Sequence, residues 1–481
     1  NGSVYHADTF PGARGVRRVR ATEKNPTCSC CAWRWRKRVA GGSMMLKRIV
    51  FLSLAAPSLM LAQTSGEGMP VVTLPEARHR SISIDPDAVA ARSRVDVATS
   101  QRRAAFTNLV TPNLRATTTY THFSEPFFNF GTGGISPNSA SATFDASYSI
   151  LGAGKFGTLK SARASLASAE ALETVSRFRT TLETDAAYFA VLADHELSRV
   201  AADRLRRAEE QLSIARVRVI AGESVSSDSL RLLLEASRAR LAILSMDSSL
   251  TTSRLRLGRR IGLMGPAEAA PLDTILPPQL PMSEEQAIAE MRARGPDVEA
   301  ARAEEKSAAA TILTARERYL PEINVGATLG RYDSELFPDA LKRNQWNMSV
   351  SLPIWNGGTR ELQVARARAD RSVAAAARAD LERAAGEVMA QAYRGYLTAR
   401  GGIDLALIGV TAATENYRVQ NARYREGATT IVDLLEAQVA LSEAQAALIR
   451  ARYASRLSLA QIEALLGRRI FETPSNNPNA R

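Results

Sequence analysis

Cysteine is confined to Cys28, Cys30 and Cys31, so everything beyond residue 31 must hold its shape without a disulfide. A chain of 481 residues can do that, because its length lets it bury a sizeable apolar core. The Cys-Ser-Cys-Cys run has no second Cys or His pair at zinc spacing, and is not read as a metal site. Histidine is just as sparse. His6, His79, His122 and His195 lie far apart with no nucleophile or metal motif beside them, so no catalytic constellation, metal or cofactor is expected. No run of 18 apolar residues follows position 62, which excludes a transmembrane helix there. A membrane role would have to come from strands. Aromatic residues make up only 6%, which fits long Ala-rich helices.

What is abundant is positive charge, with 62 Lys and Arg against 49 Asp and Glu and a formal net charge of +13. Charge of this sign ordinarily suggests nucleic acid or an anionic surface. Its location argues otherwise: residues 1–62 hold eleven of the basic residues and only two acids, Asp8 and Glu23. The Trp33-Arg-Trp-Arg-Lys-Arg38 stripe lies in the same segment, and no nucleic-acid partner is expected. Residues 1–43 begin with Asn, lack periodicity, and read as a spurious or disordered N-terminal extension. From Met44 a basic start, about 14 apolar residues from Ile49 to Ala62 and a polar continuation have the layout of a secretory signal peptide over 44–62.

The exported part reads as one unit written twice. Asp85-Pro-Asp-Ala-Val-Ala-Ala-Arg92 recurs as Gly295-Pro-Asp-Val-Glu-Ala-Ala-Arg302, and Thr111-Pro-Asn-Leu114 as Leu320-Pro-Glu-Ile323. Gly154 with Ala162-Arg163 matches Gly357 with Ala365-Arg366. Arg218, Gly222 and Asp228 match Arg423, Gly427 and Asp433, and Gly262 matches Gly467. The expected division is repeat one over 63–265, a Pro-rich linker over 266–282, repeat two over 283–470 and a disordered tail over 471–481.

Within each copy the hydrophobic period switches. A helical pattern closed by Pro321 gives way to alternation at Ile323, Val325, Ala327 and Leu329, and again at Trp346, Met348, Val350 and Leu352. In copy one, Leu114, Ala116, Thr118 and Tyr120 alternate, as do Phe144, Ala146, Tyr148 and Ile150. These spacings predict strands over 114–123, 143–151, 322–331 and 346–355, each about the length of a tilted transmembrane strand. Gly, Pro, Asn and Ser in 124–142 and 331–345 predict loops.

A long helical hairpin follows each strand pair. Neither Gly nor Pro interrupts 158–221, and no Pro occurs from 354 to 473. Leu434, Leu441, Leu448, Ser455 and Ile462 recur every seven residues, with Ala437, Ala444, Ala451, Ser458 and Leu465 three later, a heptad seam with one small row. The fold class is therefore mostly α with a small β part: two tandem repeats of long coiled-coil helices plus two transmembrane strands each. Four strands cannot close a barrel, and an open sheet in lipid leaves unpaired edges. Three chains would supply twelve strands, so a homotrimer closing a β-barrel is expected.

Several motifs resemble those of the TolC-like outer-membrane efflux proteins. Leu352-Pro-Ile-Trp-Asn-Gly-Gly-Thr-Arg360 is similar to that family's strand-to-helix signature. Ala422-Arg-Tyr-Arg-Glu-Gly427, Asp433-Leu-Leu-Glu-Ala-Gln438 and Leu465-Leu-Gly467 are similar to its helical-tip and closing motifs. Copy one departs, since Ile150-Leu-Gly-Ala-Gly-Lys155 lacks the Pro-aromatic pair. The resemblance covers about 70–470. It implies a trimeric outer-membrane barrel continuing into a periplasmic α-helical tunnel, embedded in outer-membrane lipid. It also implies docking to a periplasmic adaptor (membrane fusion protein) and an inner-membrane pump, in efflux or type I secretion.

Two groups of residues are candidate sites. Gly154 and Gly157 in copy one, and Pro353, Gly357 and Gly358 in copy two, mark strand-to-helix corners. Gly152-Ala-Gly-Lys-Phe-Gly157 spells a G-x-G-x-x-G, but some 60 helical residues follow where a dinucleotide fold needs a short helix and a returning strand. Gly222 and Gly427 end one helix of each hairpin; Ser226 or Ser227 and Thr429 or Thr430 cap the next, with Asp228 and Asp433 near its positive end. The family resemblance adds that Arg218, Arg423 and their neighbours contact the adaptor. The alternative is a soluble periplasmic coiled-coil adaptor or scaffold, against which the alternating segments argue.

Overall fold

A computed structural model describes residues 69–471 apart from 131–132, 153, 223, 273–278 and 335–339. The N-terminal extension, the signal peptide and nearly all of the tail expected from the sequence lie outside the described residues.

One order of elements runs twice. The first half has β1 (Val71–Val72), α1 (Leu74–Ile84), α2 (Pro86–Val110), β2 (Asn113–Asn129), β3 (Gly134–Leu151), α3 (Lys155–Ile220) and α4 (Ser226–Arg260). The second has β4 (Glu268–Ala269), α5 (Glu284–Arg294), α6 (Pro296–Glu317), β5 (Glu322–Asp333), β6 (Leu341–Ser351), α7 (Thr359–Arg425) and α8 (Ile431–Leu466). Within the segment read as a plain linker, β4 pairs in parallel with β1.

α3 and α7 contain 66 and 67 residues, roughly 100 Å each at ~1.5 Å per residue. Helices this long draw little stability from propensity alone and depend on a packed face. Their core is split along the length. One cluster gathers Val72, Tyr188, Val191, Leu257 and Ile261; a second gathers Met291, Val298, Met389, Tyr396 and Ile462; a third, near the hairpin turns, gathers Leu212, Leu232, Tyr424 and Leu434. Leu434, Leu441, Leu448, Ser455 and Ile462 of the heptad row are all buried, whereas in the row three later Ala437 is buried and Ala444, Ala451, Ser458 and Leu465 are only partly so. The seam is therefore asymmetric in burial.

Ionic contacts bind the short helices to the long ones. Asp185, fully buried, accepts from Arg78 Nε at 2.7 Å and from its terminal nitrogen at 2.8 Å, with Arg469 3.6 Å away. Asp85 caps α2 by accepting from the N–H groups of Asp87 and Ala88, and also receives Arg260 at 2.7 Å. Tyr188 Oη donates to the Ala270 carbonyl at 2.7 Å; burial pushes its phenol up to about 12, so it remains a donor. This bond pins the β1–β4 strip onto α3.

The four longer strands form one antiparallel sheet in the order β2-β3-β5-β6. Three boundaries differ from those expected. The first hairpin runs far into 124–142, because Ser and Asn tolerated in a solvated antiparallel ladder read as loop residues; Pro126 falls where the register shifts between His122 and Phe127. β5 extends to Asp333. β6 spans Leu341–Ser351 rather than 346–355. Its chain leaves the sheet before Pro353, which has no N–H to give a ladder.

Replacing Asp185 with Ala removes the buried carboxylate that Arg78 and Arg469 share, while Arg469 keeps its pair with Glu463. A stability loss of about 3–5 kcal/mol is expected, read by denaturant unfolding of the purified protein. A Cβ at Gly157 would lie 2.6 Å from Thr314 Cα. Gly157→Val should therefore force α3 off α6 and cost about 1–3 kcal/mol, whereas Gly395→Ala, with nothing near it, should be tolerated.

Candidate functional site

Cross-strand partners share a face of a sheet, so the register assigns every side chain to one side. Ala116 faces Phe144, Phe144 faces Leu329, Ala327 faces Trp346 and Val325 faces Met348. Leu114, Tyr120 and Val350 join this apolar face, and Trp346, Met348 and Val350 are all more than 60% exposed. The opposite face is polar. Arg115, Asp145, Thr328 and Gln345 form one continuous row across it. Asp145 accepts from Thr328 at 2.7 Å and from Thr143 at 3.0 Å. β2 and β6 are the outer strands, and among the described residues neither has a partner on its far side. Among the described residues, no helix is long and apolar enough to cross a membrane.

The corners join this sheet to the long helices. Gly154 and Gly358 are the N-caps of α3 and α7 with φ of 88° and 77°, a left-handed conformation that favours glycine. Structural equivalence thus pairs Gly154 with Gly358, one residue beyond the Gly357 that sequence matching selects. Gly357 also has positive φ, 68°. Neither cap glycine has a side chain to satisfy the first helical N–H groups. At α3 the carboxylate of Glu317 does so, accepting from the Gly157 N–H at 2.7 Å. At α7, Arg360 is buried and donates to the carbonyls of Pro353 and Ile354 at 2.7 and 2.9 Å, with its guanidinium over the Tyr319 ring. Copy one has Phe156 at the matching place, and Lys155 instead donates to the Ser149 carbonyl above Tyr148. The G-x-G-x-x-G is this turn, followed by a 66-residue helix.

The hairpin turns carry the other candidates. Gly222 and Gly427 have φ of 76° and 74°, and their N–H groups donate to Val219 and Tyr424, both at 3.1 Å. Beyond that the two turns diverge. Thr430 caps α8 with a reciprocal pair: its hydroxyl accepts from the Asp433 N–H at 3.3 Å, and its own N–H donates to Asp433 at 3.1 Å. The hydroxyls of Thr430 and Thr429 lie 2.7 and 2.9 Å from the same carboxylate, and these bonds hold Asp433 below the usual carboxylate range. In copy one the N-cap is Val225, which offers no side-chain bond; neither Ser226 nor Ser227 takes that role. Asp228 receives instead the hydroxyl of Ser224 at 2.9 Å.

Arg218 and Arg423, matched in sequence, also act differently. Arg423 donates to Ala428 in its own turn at 3.3 Å. Arg218 crosses to the other hairpin, donating to the Tyr424 carbonyl at 2.9 Å and to the Arg425 carbonyl, with its guanidinium 5.6 Å from the Tyr424 ring centre. A cation thus sits on the last carbonyls of α7, where the helix dipole favours it. What the turns present outward includes residues that motif matching overlooked. Val217, Ile220 and Val225 are each more than 60% exposed. Their sequence signal is three apolar residues around a turn that lacks a polar cap.

Comparison with known proteins agrees with this architecture. The sequence pattern of the outer membrane efflux protein family matches residues 78–263 and 287–468. The chain is 26% identical over 367 residues to the pyoverdine export outer membrane protein OpmQ of Pseudomonas aeruginosa, covering 70% of this chain and 71% of that protein. In fold it is similar to a membrane protein from Pseudomonas aeruginosa, with a TM-score of 0.72, 19% identity and coverage of 85% and 93% of the two chains. It is likewise similar to the outer membrane channel CmeC of Campylobacter jejuni, with a TM-score of 0.71, 17% identity and coverage of 83% and 87%. With both halves matched, the chain belongs to the outer membrane efflux protein family, a family of outer-membrane channels.

Proposed function

We propose that this protein is the outer-membrane exit duct of a tripartite efflux or type I secretion system. The observation that carries the reading is the sheet with one apolar face, one polar face and two unpartnered edges. Lipid cannot satisfy the backbone groups of β2 and β6, so each edge needs another strand. Three copies joining β2 of one to β6 of the next close a twelve-stranded barrel, with the apolar face toward lipid and the Arg115–Gln345 row toward the lumen. The two halves of each copy are the duplicated unit. The long helices continue the barrel as a periplasmic tunnel.

The hairpin turns at the far end are the docking tips for a periplasmic adaptor linked to an inner-membrane pump. Ile220 and Val225 offer exposed apolar anchors, while Arg218, Gly222, Asp228, Arg423, Gly427 and Asp433 set the shape of the two turns. The duct has no energy source of its own, so direction and cargo are imposed by the pump. The name of the Pseudomonas aeruginosa relative, pyoverdine export, makes a small secreted molecule one cargo class consistent with this role.

The protein should purify from outer-membrane fractions as a detergent-dependent trimer whose gel mobility changes on heating. A soluble monomer absent from those fractions would sink the reading. Gly427→Pro removes an N–H bonded to Tyr424 and demands φ near −65° where the chain has 74°. Export, read as drug susceptibility in cells with normal trimer levels, should be lost, and unchanged export refutes the tip assignment. Arg218→Ala deletes two hydrogen bonds to α7 without touching the barrel. Faster amide exchange confined to the last turn of α7 and the 426–430 turn is its expected signature.

A further inference from the structure

Beside the short β1–β4 pair lies a cavity of about 420 Å³, walled by α3, α8 and the strip itself. α3 contributes His195, Glu196 and Arg199, and α8 contributes Arg452, Tyr453 and Arg456. The four-residue spacing puts His195 with Arg199, and Arg452 with Arg456, on one face of their helices. Three guanidinium groups therefore surround one space.

Several arginines elsewhere in the packed part of the molecule meet a carboxylate, as Arg78 meets Asp185, Arg204 meets Glu235 and Arg260 meets Asp85, while Arg360 meets backbone carbonyls instead. Arg199, Arg452 and Arg456 have no ion pair among the described residues. The two carboxylates on the cavity wall are fewer than the three guanidinium groups, and one of them is already paired with an arginine outside the cavity. Glu196 accepts from Tyr453 Oη at 2.6 Å, and Glu268 is ion-paired with Arg254. Arg452 Nε is buried with no hydrogen-bond partner. Burial lowers the pKa of Arg456 even though Tyr453 and Glu196 nearby act in the opposite direction. Three guanidinium groups without an ion pair thus line a space of small-ligand size.

We propose that this cavity is a binding site for a small molecule bearing a carboxylate or phosphate group, held by Arg199, Arg452 and Arg456. Guanidinium is the fitting group for the task, because its planar fork matches the paired oxygens of either oxyanion. His195 adds a ring nitrogen at the wall. Chloride satisfies the charge but cannot bridge the forks, so shape separates the intended ligand from bulk salt. The site is remote in sequence from both hairpin turns, and its occupancy is read without reference to export.

The test uses the full chain purified in detergent, titrated with inorganic phosphate and, separately, with citrate, at ionic strength matched with chloride. Calorimetry and thermal unfolding should both register saturable binding of at least one of the two. Response to phosphate alone assigns a phosphate-bearing ligand, and response to citrate assigns a carboxylate. The Arg452→Gln, Arg456→Gln double variant should weaken binding by about tenfold or more, and Arg199→Gln alone by less. Arg456→Lys, which keeps charge and loses the fork, guards against a folding defect and should bind more weakly with an unchanged unfolding temperature in the absence of ligand. Arg240→Gln, at an exposed pair with Glu209, should bind like the parent. No saturable binding of either anion, an equal effect of chloride, or full affinity in the folded double variant would each overturn the site.

Discussion

A four-stranded sheet with a bare edge on each side and an apolar face is not a finished object. Every backbone N–H and C=O on the outer sides of β2 and β6 needs a partner, and water supplies it only where water reaches. In hydrocarbon the sole remedy is another strand. The rest of the chain can be understood as what makes that remedy possible: the corners hold the sheet at one end of the long helices, and the helices pack by themselves. Glu317 and Arg360 matter for this reason. Each satisfies backbone groups at a junction where glycine geometry leaves no side chain to do so.

The helical part solves a different problem. A helix of about 100 Å cannot be stabilised by one central core, so apolar clusters are spaced along it, with small residues allowing close approach between neighbours. Between clusters, buried charge fixes alignment. Asp185 draws Arg78 and Arg469 from separate segments and Asp85 draws Arg260 from α4, and two helices sliding by one residue would strand those charges. Hydrophobic contacts in an Ala-rich seam tolerate such slippage far better than an ion pair does.

The two halves share an order of elements but not a chemistry. One turn is closed by a Thr–Asp cap and is polar; the other lacks a cap and exposes Ile220 and Val225. Arg218 reaches across while Arg423 stays home.

Much was legible in the order of residues alone. The absence of Gly and Pro over 158–221 dictates one long helix, because nothing in that stretch can end it. Alternation at Ile323–Leu329 dictates a strand with one apolar face. Glycines at 222 and 427 mark the turns because the left-handed conformation favours them there. The tertiary structure alone decided the rest. Strand ends in the first hairpin depended on cross-strand pairing, which Ser and Asn neither demand nor forbid. The different roles of Arg218 and Arg423 depended on which carbonyls lay within reach, some 200 residues away. The cluster of Arg199, Arg452 and Arg456 is invisible in sequence for the same reason: local spacing sets the face a side chain occupies, but only packing decides what it faces.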